Sequence, residues 1–283
     1  MSSEIKFRQN IRNRQKKKKI RHNIILSVLF ILIITVFLLC VKGFFVQKDT
    51  NIDMEFIFNG YVYPQPLEKS TDILSDLKNN DGKKTAYLTF DDGPNTSVTP
   101  RVLDVLRRYN IKATFFAVGS LIEQNPSIAR RIYDEGHLLA NHSYSHKYTE
   151  LYADAQSFMN EINHTEEIIK GIVCKENYPK ILRFPGGAFE VGSHAEVKKQ
   201  IKTLLQENGY RYCDWNSLSG DAESKTPTAD YLIQKISSTI KGKEDVVILM
   251  HDAVSKSITA ETLPEIIEIL INDGYTFGTL DEI

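Results

Sequence analysis

Short apolar runs alternate with longer amphipathic stretches through most of this chain. Between residues 84 and 283, the apolar runs resemble buried strands and the stretches between them repeat at helical spacing. We predict strands at Ala86 to Phe90, Ala113 to Val118, His137 to Ala140, Ile181 to Phe184, Tyr210 to Trp215, Val246 to Met250 and Tyr275 to Leu280. We predict helices at 98–109, 126–135, 153–173, 194–208, 228–240 and 263–273. This alternation predicts an α/β fold with a parallel sheet, either a barrel or an open doubly wound sheet.

The N-terminal region has a different pattern. Ile24 to Val41 is an apolar run without a charged residue, and about 18–20 such residues suffice to cross a bilayer as a helix. A cleaved signal peptide would have a shorter apolar core and small residues before the cleavage site, which this run lacks. A buried core helix is the other reading, but such a helix rarely follows four lysines. We therefore predict a transmembrane anchor at 23–46.

The charge distribution orients this anchor. Of the 35 basic and 36 acidic residues, nine basic and one acidic lie within residues 1–22, so the rest of the chain is acidic. The positive-inside rule makes 1–22 a cytoplasmic tail and places everything after residue 46 outside the cell membrane. A basic tail can bind nucleic acid, but beside a membrane span anionic lipid is the simpler partner. Polar residues 47–83 are predicted as an extracellular stalk that precedes a folded domain at 84–283.

Polar side chains that could take part in catalysis or metal binding follow the predicted strands. Asp91 and Asp92 follow the first strand, His142 and His146 follow the third, and His251 follows Val246 to Met250. Two further sets at strand ends are Pro185 to Gly187 and Trp215 with Asn216. Because the carboxyl ends of parallel strands carry the active site in α/β barrels and open sheets, we expect these sets to converge.

Two histidines and one carboxylate predict a metal site. His142 and His146 are four residues apart and can reach one ion, and a carboxylate from another strand end would leave a position for water. Asp91 to Pro94 could instead be a solvated turn, for which these residue types are usual. Adjacent carboxylates point in different directions, which suits one ligand and one base. Taken alone, His251 and Arg183 could equally be structural residues.

Together these motifs resemble those of the NodB-like polysaccharide deacetylases, carbohydrate esterase family four. Thr89 to Pro94 (TFDDGP) is similar to the family's first motif, and His142 to His146 (HSYSH) to its second. Arg183 to Gly187 (RFPGG) fits the third motif and Leu249 to His251 (LMH) the fifth. The resemblance covers about residues 84–283 and implies a deformed (β/α)7-8 barrel with catalytic residues at the C-terminal ends of the strands.

The fourth motif departs from the family pattern. The family usually has an aspartate followed by tryptophan, whereas here Asp221 is followed by Ala222. Asp214 is a second candidate for the aspartate. Because this departure would change the wall of the substrate pocket, we expect it to affect substrate preference more than catalysis.

The resemblance implies a role for each matching residue. A divalent ion, usually zinc and alternatively cobalt, would be held by Asp92, His142 and His146. Asp91 would be the general base, held in place by Arg183, and His251 the general acid, oriented by Asp221. Substrate contacts would come from the Gly186 backbone N–H, which would stabilise an oxyanion, and from an apolar slot for the acetyl methyl formed by Leu249 and Trp215.

The implied activity is hydrolysis of the N-acetyl group of N-acetylglucosamine residues in an extracellular polysaccharide. Outside a membrane the nearest acetylated polymer is cell-wall peptidoglycan. Chitin-like or poly-N-acetylglucosamine polymers and O-acetylated xylan are the alternative substrates. From another functional class, a catalytically silent wall-binding module is the rival hypothesis.

Overall fold

The computed structural model describes residues 71–77 and 82–283. The predicted tail at 1–22, the predicted anchor at 23–46 and most of the predicted stalk lie outside these residues. Among the helices in the described ranges, none is both long enough and apolar enough to span a bilayer.

The described residues contain eight parallel strands and eight α-helices. The strands are β1 (Lys84–Asp91), β2 (Thr114–Ala117), β3 (Leu138–Asn141), β4 (Ile181–Leu182), β5 (Arg211–Tyr212), β6 (Ser217–Leu218), β7 (Asp245–His251) and β8 (Tyr275–Phe277). The helices are α1 (Thr99–Tyr109), α2 (Gly119–Gln124), α3 (Pro126–Asp134), α4 (Tyr148–Leu151), α5 (Ala155–Val173), α6 (Ala195–Glu207), α7 (Ala229–Ile240) and α8 (Ser257–Asn272). Short 3-10 helices occupy Ile73–Asp76, Gly192–His194 and Leu280–Glu282.

The sheet must curl because a short connection joins its two ends. The hydrogen-bonded order is β5–β4–β3–β2–β1–β7–β6, and β8 pairs with the start of β1. In a flat sheet of this order, strand spacings of about 4.8 Å would separate β5 from β6 by roughly 29 Å. An extended chain from Tyr212 to Ser217 spans at most about 18 Å. The strands therefore curve into an incomplete barrel.

Alternate side chains of β1 point into two different buried layers. Ala86, Leu88 and Phe90 are fully buried against the surrounding helices, in the same cluster as residues of α1 and α8. Tyr87 packs into a different cluster that contains Phe116 and Val247. Since successive side chains of a strand point to opposite faces, Asp91 shares the inward face of β1 with Tyr87.

Several elements differ from the sequence prediction. Strand β6 and helices α2 and α4 were not predicted because each is only two to six residues long, too short for a periodic pattern. Helix α8 begins at Ser257 and not at residue 263, and Pro264 lies inside it. Proline is most common in the first turn of a helix, which made this position resemble a start.

Part of the predicted stalk packs against the domain. Ile73 is fully buried, and Tyr212 N–H donates to the Thr71 carbonyl over 2.8 Å. Arg211 also forms a 2.6 Å ion pair with Asp76. Residues 71–77 therefore cover the β5 edge of the sheet, and the folded domain begins before residue 84.

Candidate metal and catalytic site

Three side chains from two strand ends form a possible metal site. Asp92 follows β1, and His142 and His146 follow β3. Asp92 Oδ1 lies 3.5 Å from His142 Nε2 and 3.3 Å from His146 Nε2. Each residue offers one metal-ligating atom, and these three atoms lie within 4.8 Å of one another. Ligands bound tetrahedrally at zinc distances are about 3.3 Å apart. The three residues therefore fit a single divalent ion.

The surroundings of His142 prepare it to be a ligand. Its Nδ1 lies 2.9 Å from the Arg183 carbonyl oxygen. A carbonyl only accepts, so Nδ1 carries the proton and Nε2 presents its lone pair toward Asp92. Burial lowers the pKa of His142 to about 3, which keeps the imidazole neutral. A neutral imidazole oriented by a backbone carbonyl is a usual arrangement for a metal-binding histidine.

Left-handed backbone angles shape this part of the site. The φ angles are 76° at Asp92, 66° at Ser143 and 56° at His146. Non-glycine residues rarely adopt such angles, and they cluster at functional sites where the surroundings hold them in place. At Asp92 the turn separates two adjacent carboxylates, so that Asp91 faces the barrel interior while Asp92 faces the histidines.

Asp91 is buried against Arg183. One terminal nitrogen of the fully buried Arg183 donates to Asp91 Oδ1 over 2.9 Å and to Thr89 Oγ1 over 2.7 Å. Burial raises the pKa of Asp91, although the charges of Arg183 and His251 oppose this rise. The other oxygen, Oδ2, lies 3.8 Å from His142 Nε2. Asp91 therefore places one oxygen beside the possible metal site.

Strand register places His251 beside Asp91. The two residues are direct partners in the β1–β7 pairing, so their side chains share one face. Asp221 accepts hydrogen bonds from the His251 backbone N–H over 2.7 Å and from its Nδ1 over 2.8 Å. Burial alone would lower the pKa of His251, but the hydrogen bond and charge of Asp221 outweigh burial and raise it to about 9. His251 is therefore a protonated, oriented imidazole near neutral pH.

The predicted substrate residues lie around this centre. Gly186 has φ 75°, and an added Cβ would lie 2.7 Å from the Tyr148 hydroxyl, so a side chain would collide there. Trp215 packs edge-on against Phe189 and lies 5.8 Å from the Arg183 guanidinium. Leu249 precedes His251 by two residues and shares its face of β7. Their roles in binding an acetyl group stay predictions.

The fourth-motif residues have separate environments. Asp221 is buried and bonds His251, whereas Ala222 is exposed and supplies no aromatic wall. Asp214, the second candidate, makes no contact of this kind. It accepts the Ala188 N–H over 2.9 Å and 3.0 Å and so holds the turn after Gly187.

The sequence analysis gave no role to two supporting residues, Thr89 and Asp252. Thr89 is part of the TFDDGP motif, yet its bond to Arg183 joins residues 94 positions apart and has no local signal. Asp252 is fully buried behind the first motif, where its N–H donates to the Asp91 carbonyl and its carboxylate accepts from Thr99. Its position directly after His251 was the one sequence feature that could have indicated a role at the site.

Comparisons with known proteins agree with this geometry. A family model described as polysaccharide deacetylase matches residues 78–213. A peptidoglycan-N-acetylglucosamine deacetylase of Bacillus cereus is 31% identical over 207 residues, which cover 72% of this chain and 72% of that protein. A peptidoglycan-N-acetylmuramic acid deacetylase of Bacillus subtilis is 32% identical over 209 residues, covering 72% and 73% respectively.

A solved structure shares the fold. The catalytic domain of a peptidoglycan N-acetylglucosamine deacetylase from Eubacterium rectale superposes with a TM-score of 0.64 and is 34% identical. The match covers 71% of this chain and 90% of that chain. The prediction of a deformed barrel is confirmed by this similarity and by the curled parallel sheet.

Proposed function

This chain belongs to the polysaccharide deacetylase family, and we propose on that premise that it acts on the N-acetylglucosamine residues of peptidoglycan. The chain is an enzyme that hydrolyses acetyl groups from a polysaccharide. One observation carries the proposal: two imidazoles and a carboxylate converge within reach of one ion, beside a buried base and an oriented acid.

The side chains divide the hydrolysis between them. A divalent ion at Asp92, His142 and His146 would polarise the acetyl carbonyl and acidify water. Asp91 accepts the proton from the attacking water, and Arg183 keeps this carboxylate in position. The Gly186 N–H stabilises the negative charge that develops on the carbonyl oxygen. His251 donates its proton to the sugar nitrogen as the C–N bond breaks, so that acetate and a free amine are released.

Zinc is the ion that we propose for this site. Two histidines and one carboxylate are a common catalytic zinc set, because they leave a coordination position open for water. Cobalt accepts similar ligands and is the alternative.

Peptidoglycan is favoured as the substrate by the relatives. The Bacillus cereus relative is named for N-acetylglucosamine and the Bacillus subtilis relative for N-acetylmuramic acid, and both names specify peptidoglycan. Ala222 is exposed and supplies no aromatic ring where the family usually has tryptophan, which keeps chitin-like polymers and O-acetylated xylan as alternatives.

Acetate release is the direct test. Full-length protein purified in detergent is incubated with purified cell wall, chitin oligomers, poly-N-acetylglucosamine and acetylated xylan, with and without a chelator. We expect the highest rate on cell wall, complete loss with chelator, and recovery with zinc. The matched control is Asp134→Asn, an exposed residue paired with Arg130. Equal acetate release in chelator, or a clear preference for xylan, contradicts the proposal.

We also propose that residues 23–46 anchor the enzyme in the cell membrane, with residues 1–22 in the cytoplasm and the catalytic domain outside. Support comes from the apolar run that follows the basic tail. Cys174 is exposed and Cys213 is buried, and both are free thiols. A membrane-impermeant maleimide should therefore label intact cells at Cys174, and Cys174→Ser should abolish this labelling. Labelling only after lysis contradicts the proposed orientation.

A further inference from the structure

The loop between the two predicted metal-binding histidines depends on its surroundings for its shape. Ser143 and His146 both have positive φ, at 66° and 56°. Such backbone angles are unfavourable for residues other than glycine and persist only where other contacts hold them. The loop spans residues 143–145, and the position of His146 depends on it.

Backbone groups satisfy two of the carbonyls of this loop. Gly119 N–H donates to the Ser143 carbonyl over 2.9 Å, and Ser120 N–H donates to the Tyr144 carbonyl over 3.0 Å. Both donors lie at the start of α2. These contacts hold one side of the loop and do not use side chains.

The N–H groups of the loop depend on side chains. Asn141 Oδ1 accepts the Ser143 N–H over 3.0 Å. Glu161 Oε2 accepts the Tyr144 N–H over 3.2 Å and the Ser145 N–H over 3.0 Å. Glu161 Oε1 also accepts from Ser145 Oγ over 2.6 Å, and that hydroxyl oxygen in turn accepts the Lys147 N–H over 3.1 Å. One carboxylate therefore binds the loop at three points.

The position of Glu161 on α5 makes this contact firm. Asn141 Nδ2 donates to the carbonyl of the next residue, Ile162, over 2.9 Å. His164, one turn along the same helix, stacks on Tyr144 with the rings 4.3 Å apart. Helix α5 thus contacts the end of β3 through its backbone and the loop through an aromatic ring. Hydrogen bonds to a carboxylate, such as those of Glu161, are stronger than those between neutral groups.

From these contacts we propose that Glu161 is a positioning residue for the metal site. By binding the loop between His142 and His146, it holds His146 where its Nε2 faces Asp92, and it thereby sets metal affinity. Its two oxygens are used by the loop, so it supplies no ligand itself. The inference rests on the proposed function, because it assumes that the Asp92, His142 and His146 set binds a divalent ion.

Metal affinity measured apart from turnover tests this role. Full-length protein is stripped with chelator and titrated with zinc against a chromogenic chelator. Loss of a residue that orients a metal ligand typically weakens binding about 10–100-fold, and we expect this range for Glu161→Ala. Glutamine can still accept the two N–H groups but loses the charge, so Glu161→Gln should fall between wild type and alanine.

A matched control lies on the same helix. Glu167 is exposed and pairs with Lys170 over 3.1 Å, so Glu167→Ala should bind zinc as the wild type does. Cobalt substitution provides a second readout, since a displaced His146 changes the visible absorption of the bound ion.

The outcomes separate two failures. Wild-type zinc affinity in both Glu161 variants overturns the role of Glu161, and if the alanine variant does not fold, wild-type affinity in the glutamine variant alone overturns it. Unchanged zinc affinity in His142→Ala means instead that the metal site of the proposed function is wrong.

Discussion

The two halves of the site are held in place by different means. Asp91 and His251 lie on paired strands and each contacts a buried partner, Arg183 and Asp221 respectively. His142 and His146 flank the loop at residues 143–145. Ser143 and His146 have left-handed backbone angles, and contacts from side chains and from helix α5 hold the loop in place. The proton-transfer half is therefore positioned by strand register and buried charge, and the metal half by loop contacts. Changes in the first half should affect turnover, whereas changes in the second should affect metal affinity.

The largest expected effect is on turnover. Asp91→Asn removes the predicted base but keeps its size and one hydrogen-bond acceptor for Arg183. We expect kcat to fall about 10²–10⁴-fold, while zinc affinity changes little. Steady-state kinetics and a zinc titration on the same preparation measure both quantities. A large loss of zinc affinity with kcat preserved would reverse the assignment of the two halves.

Breaking the buried ion pair should be the next largest effect. Arg183→Met leaves the Asp91 carboxylate buried without its guanidinium, and breaking such a pair costs about 3–5 kcal/mol of unfolding free energy. Combining it with Asp91→Asn removes both charges and should recover part of that loss. Urea unfolding of the variants measures these values. If the losses of unfolding free energy in the two single variants simply add in the double variant, the two residues are not coupled and Arg183 does not hold Asp91 in position.

The pH dependence of the rate reports on His251. Wild-type activity should be bell-shaped, with a rise as Asp91 loses its proton and a fall as His251, whose pKa is raised to about 9, loses its own. Asp221→Asn removes the charge that stabilises the imidazolium, and burial then favours the neutral ring. The alkaline limb should therefore move about 1–3 pH units toward acid. An alkaline limb that stays in place, or a wild-type profile that is flat, contradicts the role of His251.

Metal binding should produce the smallest effect, on stability. At a free zinc concentration ten times the dissociation constant, binding to the folded state adds about 1.4 kcal/mol. Thermal unfolding with and without zinc measures this gain, which His146→Ala should reduce. His251→Ala should keep the gain, because His251 belongs to the proton-transfer half. An equal loss in both variants would show that the two halves are not separate.

Much of the fold follows from local patterns. The strands that carry Asp91 and His251 were predicted within two residues of their bounds, since long buried runs have a clear signature. Strand β6 was not predicted, because two residues give no periodicity. The packing of Ile73 was also missed, since a polar segment with one buried side chain resembles a linker.

Some residues of the candidate site could likewise be predicted from the sequence, and others could not. Asp92, His142 and His146 are recognisable by residue type and spacing, and the structure brings them together. Glu161 had no such signal, because a glutamate on an amphipathic helix looks like any solvated residue. Its contacts with Tyr144 and Ser145 depend on how α5 packs beside the loop after β3.

The sequence by itself determined the strand–helix alternation, the strand ends that carry chemistry and the residue types of the metal set, because these are local properties of the chain. Only the tertiary structure decided that Asp91 is a register partner of His251, that Arg183 reaches Thr89 across the barrel and that Glu161 binds the histidine loop. The first two pairings join residues far apart in the chain, and the third joins the loop after β3 to helix α5. They arise from strand pairing and helix packing, which no local pattern encodes.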